Sequence, residues 1–137
     1  MAAHTNVSQL LGVDSISDFA LAEIVENGLP IEHIQNLREA GLTFTEVSDL
    51  VIAPRTLKHR KSRGEALSPD EADRALRVAR TITQAESIFG ERERALLWLR
   101  TRDDRLGERT PLSLLRNESG GRLVEEMLWQ IDEGVYS

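Results

Sequence analysis

The chain has 137 residues, 40% hydrophobic and 29% charged, with 23 acids against 17 Lys/Arg and a formal net charge of −6. That length holds one domain or two small ones sharing a core, and its apolar fraction is too high for disorder by composition. Cysteine is absent and the three histidines, His4, His33 and His59, have no ligand-like spacing, so disulfides, thiol nucleophiles, metal sites and other cofactors are not expected.

The opening "MAAHTNVSQL" has neither the basic region nor the apolar stretch of a secretory signal, and no apolar run is long enough to cross a bilayer. A cytoplasmic protein without membrane contact is expected, with residues 1–14 forming an N-terminal arm. Aromatic residues are only 4% and apolar residues recur at helical spacing, so the fold class is all-α. "SISDFALAEIVENGLP" predicts a first helix, opened by a Ser/Asp cap and closed at Asn27-Gly28. "PIEHIQNLREAG" predicts a second, with Ile31, Ile34 and Leu37 on one stripe. "TFTEVSDLV" opens on a capping box, Thr43 with Glu46. Pro54 starts a short helix ending near Gly64, and "SPDE" at 68–71 is a second capping box that begins the long helix through Phe89. "ERERALLWLRT" follows, then the polar connection "RDDRLGER", a short helix "PLSLLR", and a last helix capped by Asn117 and stopped at Gly134.

Charge is spread unevenly along these elements. Residues 1–54 hold eight acids and one base, residues 64–137 hold fifteen acids and eleven bases, and the island 55–63 holds five bases and no acid. A one-sign cluster in an acidic protein points to a partner, and nucleic acid is the obvious one, because Lys/Arg clusters bind phosphates by displacing counterions. "TFTEVSDLV", the tight turn at Ile52-Ala53-Pro54 and the basic helix together have the form of a helix-turn-helix, whose second helix enters the major groove. At 100° per residue, with Leu57 inward, the outer face carries Arg55, Thr56, His59, Ser62 and Arg63, and the flanks carry Lys58, Arg60 and Lys61. Arg suits guanine edges and the flanking cations suit the backbone; Thr43 and Thr45, at the start of the preceding helix, join the candidate DNA-binding set. The bland alternative is a solvated basic helix that offsets the acidic N-terminal part.

From here the sequence resembles a known family. "RTLKHRKSRGEALSPDEADRALRVART", "AESIFG", "ALLWLRT" and "LGERTPLSLLRNESGGRLVEEMLWQIDEGVYS" are similar, in order, to the Xre/MbcA/ParS-type antitoxins, from about residue 16 to the C-terminus. The resemblance implies an Xre-like helix-turn-helix domain at 15–67 and a C-terminal toxin-binding domain at 68–137. It further implies a RES-domain toxin that consumes NAD⁺ or transfers ADP-ribose from it, neutralised by the antitoxin's C-terminal part, and binding to the operon's own promoter as a homodimer.

The tail adds to this. Leu123, Val124, Met127, Leu128 and Ile131 fall within an arc of about 140°, a core stripe, whereas Trp129 projects to the polar face between Glu125 and Glu133. Either a neighbouring loop covers it or it anchors an interface, a role for which Trp is enriched. In "DEGVYS", Val135 and Tyr136 fold back on the core or insert into a partner. The toxin-binding candidates are therefore Trp129, Glu133, Gly134, Val135, Tyr136 and the Ser137 carboxylate, with Arg105 and Arg109 from the polar connection. That connection, with Arg116 beyond it, reads first as a structural link closed by ion pairs, with anion or partner contact secondary. No Gly-rich phosphate loop, paired His or nucleophile motif points to an enzyme. A stand-alone helix-turn-helix regulator with a C-terminal dimerisation or sensing domain is the alternative to an antitoxin.

Overall fold

The computed structural model describes Leu10 and residues 18–134. Within residues 18–134 seven α-helices follow one another: α1 Asp18–Asn27, α2 His33–Glu39, α3 Phe44–Leu50, α4 Pro54–Arg63, α5 Pro69–Phe89, α6 Arg92–Leu99 and α7 Glu118–Asp132, with 3-10 turns at Asp104–Leu106 and Leu112–Arg116. The architecture is all-α, a helix-turn-helix part followed by a C-terminal helical part; the described residues contain no strand beyond an isolated bridge between Asp103 and Arg109. No helix is long and apolar enough to cross a membrane among the described residues.

The local signals in the sequence act where expected. Thr43 accepts a hydrogen bond from the Glu46 amide while the Glu46 carboxylate accepts from the Thr43 amide. Ser68 and Glu71 do the same at the start of α5, so each helix start has its orphan donors satisfied. Asn117 accepts from the Gly120 amide and opens α7. The second helix begins later than its sequence pattern, at His33, because the Pro30–Ile31 carbonyls first accept the turn bonds from His33 and Ile34; Ile31, Ile34 and Leu37 are buried as one stripe. The Ser/Asp cap expected for the first helix falls outside the described side chains.

The long α5 is the axis of the molecule and packs against α1, α6, α7 and the Leu112–Arg116 turn. Its buried face is rich in small residues, Ala72, Ala75, Ala79 and Ala85 among Leu76, Val78 and Ile82, which lets neighbouring helices approach closely. Gly121 of α7 shows how close: a Cβ there would stand 2.7 Å from Arg77 Cδ of α5, and one at the neighbouring Gly120 would collide with the Leu114 carbonyl. On α7 the buried positions are Gly121, Val124, Met127 and Leu128. Leu123, placed in the core stripe by its sequence pattern, is 43% exposed. Its direction lies at the edge of the apolar arc, and the arc's centre, near Val124, is what meets α5.

One hydrophobic core runs through both parts, from Leu29, Leu37 and Leu50 to Leu99, Leu115 and Leu128. Arginines reinforce the junction. Arg100, after α6, donates to both Glu46 oxygens, at 2.8 and 2.7 Å, and to the Gly41 carbonyl at 2.7 Å. Arg92 pairs with Glu86 and donates to the Ala40 carbonyl, and Arg74 donates to the Val51 carbonyl at 3.0 Å. Gly41 sits where the parts meet with φ +118, and a Cβ there would stand 2.6 Å from Leu96 Cδ1.

Candidate nucleic-acid and protein interfaces

Helix α4 stands proud of this core. None of its ten residues is buried, and Leu57, half-buried against the core, is its main apolar attachment. Pro54 at its first turn removes an amide that would have no helical partner, and Gly64 stops it in the left-handed region at φ 66. Arg55, Lys58, Lys61 and Arg63 are exposed, with no carboxylate partner among the described residues. His59 is exposed too, and its carbonyl accepts from the Ser62 hydroxyl at 2.8 Å. Thr56 is half-buried, and Thr45 is exposed at the start of α3. The Thr43 hydroxyl oxygen is engaged in its capping box.

Arg60 departs from the sequence reading, which puts it on the flank of the nucleic-acid face. It lies three residues after Leu57, hence on the same side of the helix, and it turns inward. Its Nε donates to Glu71 Oε1 at 2.7 Å and a terminal nitrogen to Oε2 at 3.2 Å, while Glu65 stands 3.9 Å away on the other side. Glu71 is only 6% exposed. Burial works to raise its pKa, but the hydrogen bonds from Arg60 and the Ser68 amide outweigh that and hold it below the ordinary glutamate value. Glu46 is held low in the same way, by Arg100 and the Thr43 amide against its own burial. The positive charge of Arg60 is thus neutralised inside the fold, and four of the island's five cations face solvent.

Beneath α4 lies a cleft of about 600 Å³ walled by Ile34, Phe44, Val47 and Leu57. Phe44 is largely exposed at its rim, with the Arg38 guanidinium 5.9 Å from its ring centroid.

At the other end, Trp129 is 58% exposed and lies beside Gln84, Arg122, Glu125 and Glu126 in a shallow cleft of about 280 Å³. No described loop covers it. Leu123, Glu126 and Glu133 share the outer side of α7, with Glu133 as its C-terminal cap and Gly134 beyond it at φ 77. Val135, Tyr136 and Ser137 lie outside the described residues. Leu97, on the outer side of α6, is a further exposed apolar residue that the sequence reading did not single out. Helical spacing would have found it, since Ala95, Leu96 and Leu99 take the inner side.

In the polar connection, Arg105 is bound to Asp103 through two side-chain hydrogen bonds, at 3.0 and 2.6 Å, so it closes the link by an ion pair. The Arg105 guanidinium holds the Asp103 carboxyl below its ordinary value. Arg109 contributes its backbone to the bridge with Asp103 and leaves its side chain exposed. Arg116, also exposed, borders the cleft at the Val51–Ala53 turn with Arg74.

Known protein families match the chain in two successive stretches. Residues 20–80 match the family described as the antitoxin Xre-like helix-turn-helix domain, and residues 84–134 match the antitoxin Xre/MbcA/ParS C-terminal toxin-binding domain. An antitoxin Xre of Pseudomonas putida is 37% identical over 118 residues, which cover 86% of this chain and 74% of that protein. An antitoxin Xre of Photorhabdus laumondii is 30% identical over 131 residues, 93% and 88% of the two chains, and one of Yersinia enterocolitica 26% over 130 residues, again 93% and 88%.

Proposed function

Because the chain belongs to the Xre family of antitoxins, we propose that it neutralises a RES-domain toxin that consumes NAD⁺ and represses its own promoter as a homodimer. It acts by binding rather than by catalysis, in the cytoplasm, without a cofactor. Residues 15–67 are the DNA-binding domain and residues 68–137 the toxin-binding domain.

The observation that carries the DNA half is α4, a helix with no buried residue that presents four cations without a carboxylate partner among the described residues, in a protein of net charge −6. Arg55 and Arg63 suit base edges, and Lys58 and Lys61 suit the phosphates on either side. Thr45, Thr56, His59 and Ser62 supply smaller polar contacts. The toxin half rests on the outer side of α7, where Trp129 stands open among acidic side chains. In this reading Trp129 and Glu133 dock at the rim of the toxin's NAD⁺ cleft. Gly134 turns the chain, and Val135, Tyr136 and the Ser137 carboxylate cover the cleft's entrance, where a negative end suits a pocket built for a pyrophosphate. Arg109 adds a peripheral contact; Arg105 contributes by keeping the connection closed.

The test is co-purification of the tagged chain with the product of the neighbouring gene, followed by an NAD⁺ assay on that product alone and in complex. The expected result is NAD⁺ loss only when the partner is freed, and its return in the complex when residues 134–137 are deleted from the antitoxin. A partner equally inactive with and without this chain refutes the reading of the toxin half.

A further inference from the structure

We propose that Glu71, at the start of α5 and outside the basic helix, is a positioning residue for DNA binding: through Arg60 it fixes the angle at which α4 is presented to the groove. The inference rests on the DNA-binding reading above and adds to it which residue outside α4 sets the pose.

Few side-chain contacts of its own hold α4 to the core. Leu57 and Thr56 are half-buried, and the chain is anchored at Ile52 before the helix and at Leu67 after it; a further contact along the helix itself is needed to fix its tilt. The turn before it ends at Ala53, which makes no side-chain capping bond. The segment after it, Gly64 to Ala66, is exposed. The further contact is the Arg60 guanidinium, clamped through two of its nitrogens by both oxygens of Glu71. A planar two-point contact of this kind fixes direction as well as distance, which a single lysine contact does not.

Glu71 is itself immobilised. Its Oε1 also accepts from the Ser68 amide at 2.7 Å, its own amide donates to Ser68 Oγ at 3.2 Å, and its helix is the core axis of the molecule. The capping box of α5 therefore does two things: it starts the helix and it presents a rigid carboxylate to the DNA-binding helix. The consequence reverses what the sequence suggests for Arg60. The residue most central in the basic run is a strut, and its loss reduces affinity without removing a phosphate contact.

The experiment compares wild type, Glu71→Gln, Arg60→Ala, Arg60→Lys and Lys58→Ala, each as the full chain. Binding is followed by anisotropy, over a range of salt, to a duplex spanning the region upstream of the gene and to a scrambled duplex of the same length. Specific sites are bound at least ~10³-fold tighter than non-specific ones, and that margin depends on geometry. In Glu71→Gln, Arg60→Ala and Arg60→Lys the ratio of upstream to scrambled affinity is expected to fall about tenfold or more. The slope of log K against log salt should stay within half of the roughly 0.9 that one phosphate contact contributes. Lys58→Ala should do the opposite, flattening the slope by roughly 0.9 with the ratio little changed. Arg60→Ala that flattens the slope like Lys58→Ala, with Glu71→Gln silent, overturns the proposal and makes Arg60 a phosphate ligand. Loss of partner neutralisation in step with DNA affinity also overturns it, because the pair is then an ordinary element of the fold. If wild type does not distinguish the two duplexes while Lys58→Ala leaves the slope unchanged, the DNA-binding reading itself fails and the strut with it.

Discussion

Replacing Trp129 with Ala separates an interface residue from a packing residue, and the structure sets the size of the two effects. Trp129 leaves 58% of its surface to solvent. With about 250 Å² for a large aromatic side chain, roughly 145 Å² is open to a partner, and covering it at ~25 cal/mol/Å² contributes roughly 3.6 kcal/mol. That corresponds to about 400-fold in Kd. The part already covered, roughly 105 Å², bounds the cost to the free chain at ~2.6 kcal/mol, and the compactness of unfolded chains makes that an upper limit. Trp129→Ala should therefore weaken the partner complex more than it weakens the fold. Calorimetric titration of the partner and thermal melting of the free chain read the two quantities. Val124→Ala is the counterpart: Val124 is fully buried, so this variant should melt lower while binding the partner normally. A Trp129→Ala protein that melts lower yet binds within threefold of wild type refutes the interface assignment and returns Trp129 to the core's edge.

Gly120→Ala drives a Cβ into the Leu114 carbonyl, so the Leu112–Arg116 turn must move; a loss of ~1–3 kcal/mol in chemical denaturation is expected. The Arg100–Glu46 pair is two-pronged but partly exposed, and a double-mutant cycle with Arg100→Ala and Glu46→Ala should give a coupling of about 0.5–1 kcal/mol that shrinks in high salt. Glu46 and Glu71 are both held below the ordinary glutamate value in the folded chain. Their folded pKa values are depressed, so the stability they add is fully present above the unfolded value and is lost as pH falls through the folded one. Glu46→Gln should accordingly flatten the acid limb of the stability profile below the ordinary glutamate range and lower the neutral-to-alkaline plateau without changing its slope, as measured by denaturant titration at stepped pH.

Much of the fold was legible because its signals are local. A capping box spans four residues, a glycine stop one, and the apolar stripe of a short helix about two turns. Thr43 with Glu46, Ser68 with Glu71, and the Ile31–Ile34–Leu37 stripe all act within that range and all appear where the sequence places them. The basic island was legible for the same reason, since five cations in nine residues need no tertiary context to be seen. Leu123 was misplaced because a rotation count gives the width of an apolar arc and not which part of it meets a neighbour.

What the sequence does not contain is which charges are already engaged, because the engaging partner comes from elsewhere in the chain. Arg60 finds its carboxylate eleven residues on, and Glu46 finds its guanidinium fifty-four residues on. Both glutamates are already explained locally as the last residue of a capping box, so nothing in the sequence marks them as having a second duty. A glutamate in that position is nonetheless well suited to it. The helix start fixes its carboxylate, so the entropy lost when an arginine binds has largely been given up beforehand, and the second hydrogen bond forms at lower cost. Two of the arginines that tie the parts of this chain together, Arg60 and Arg100, end on a capping-box carboxylate, whereas Arg92 ends on Glu86 within α5. The lower cost also gives the strut at α4 a physical basis: the basic helix is held by a group that its own helix start already fixes. Shortening either glutamate to Asp, with Gln as the control for charge, should change the pose of the element it holds while leaving the charge count of the surface untouched.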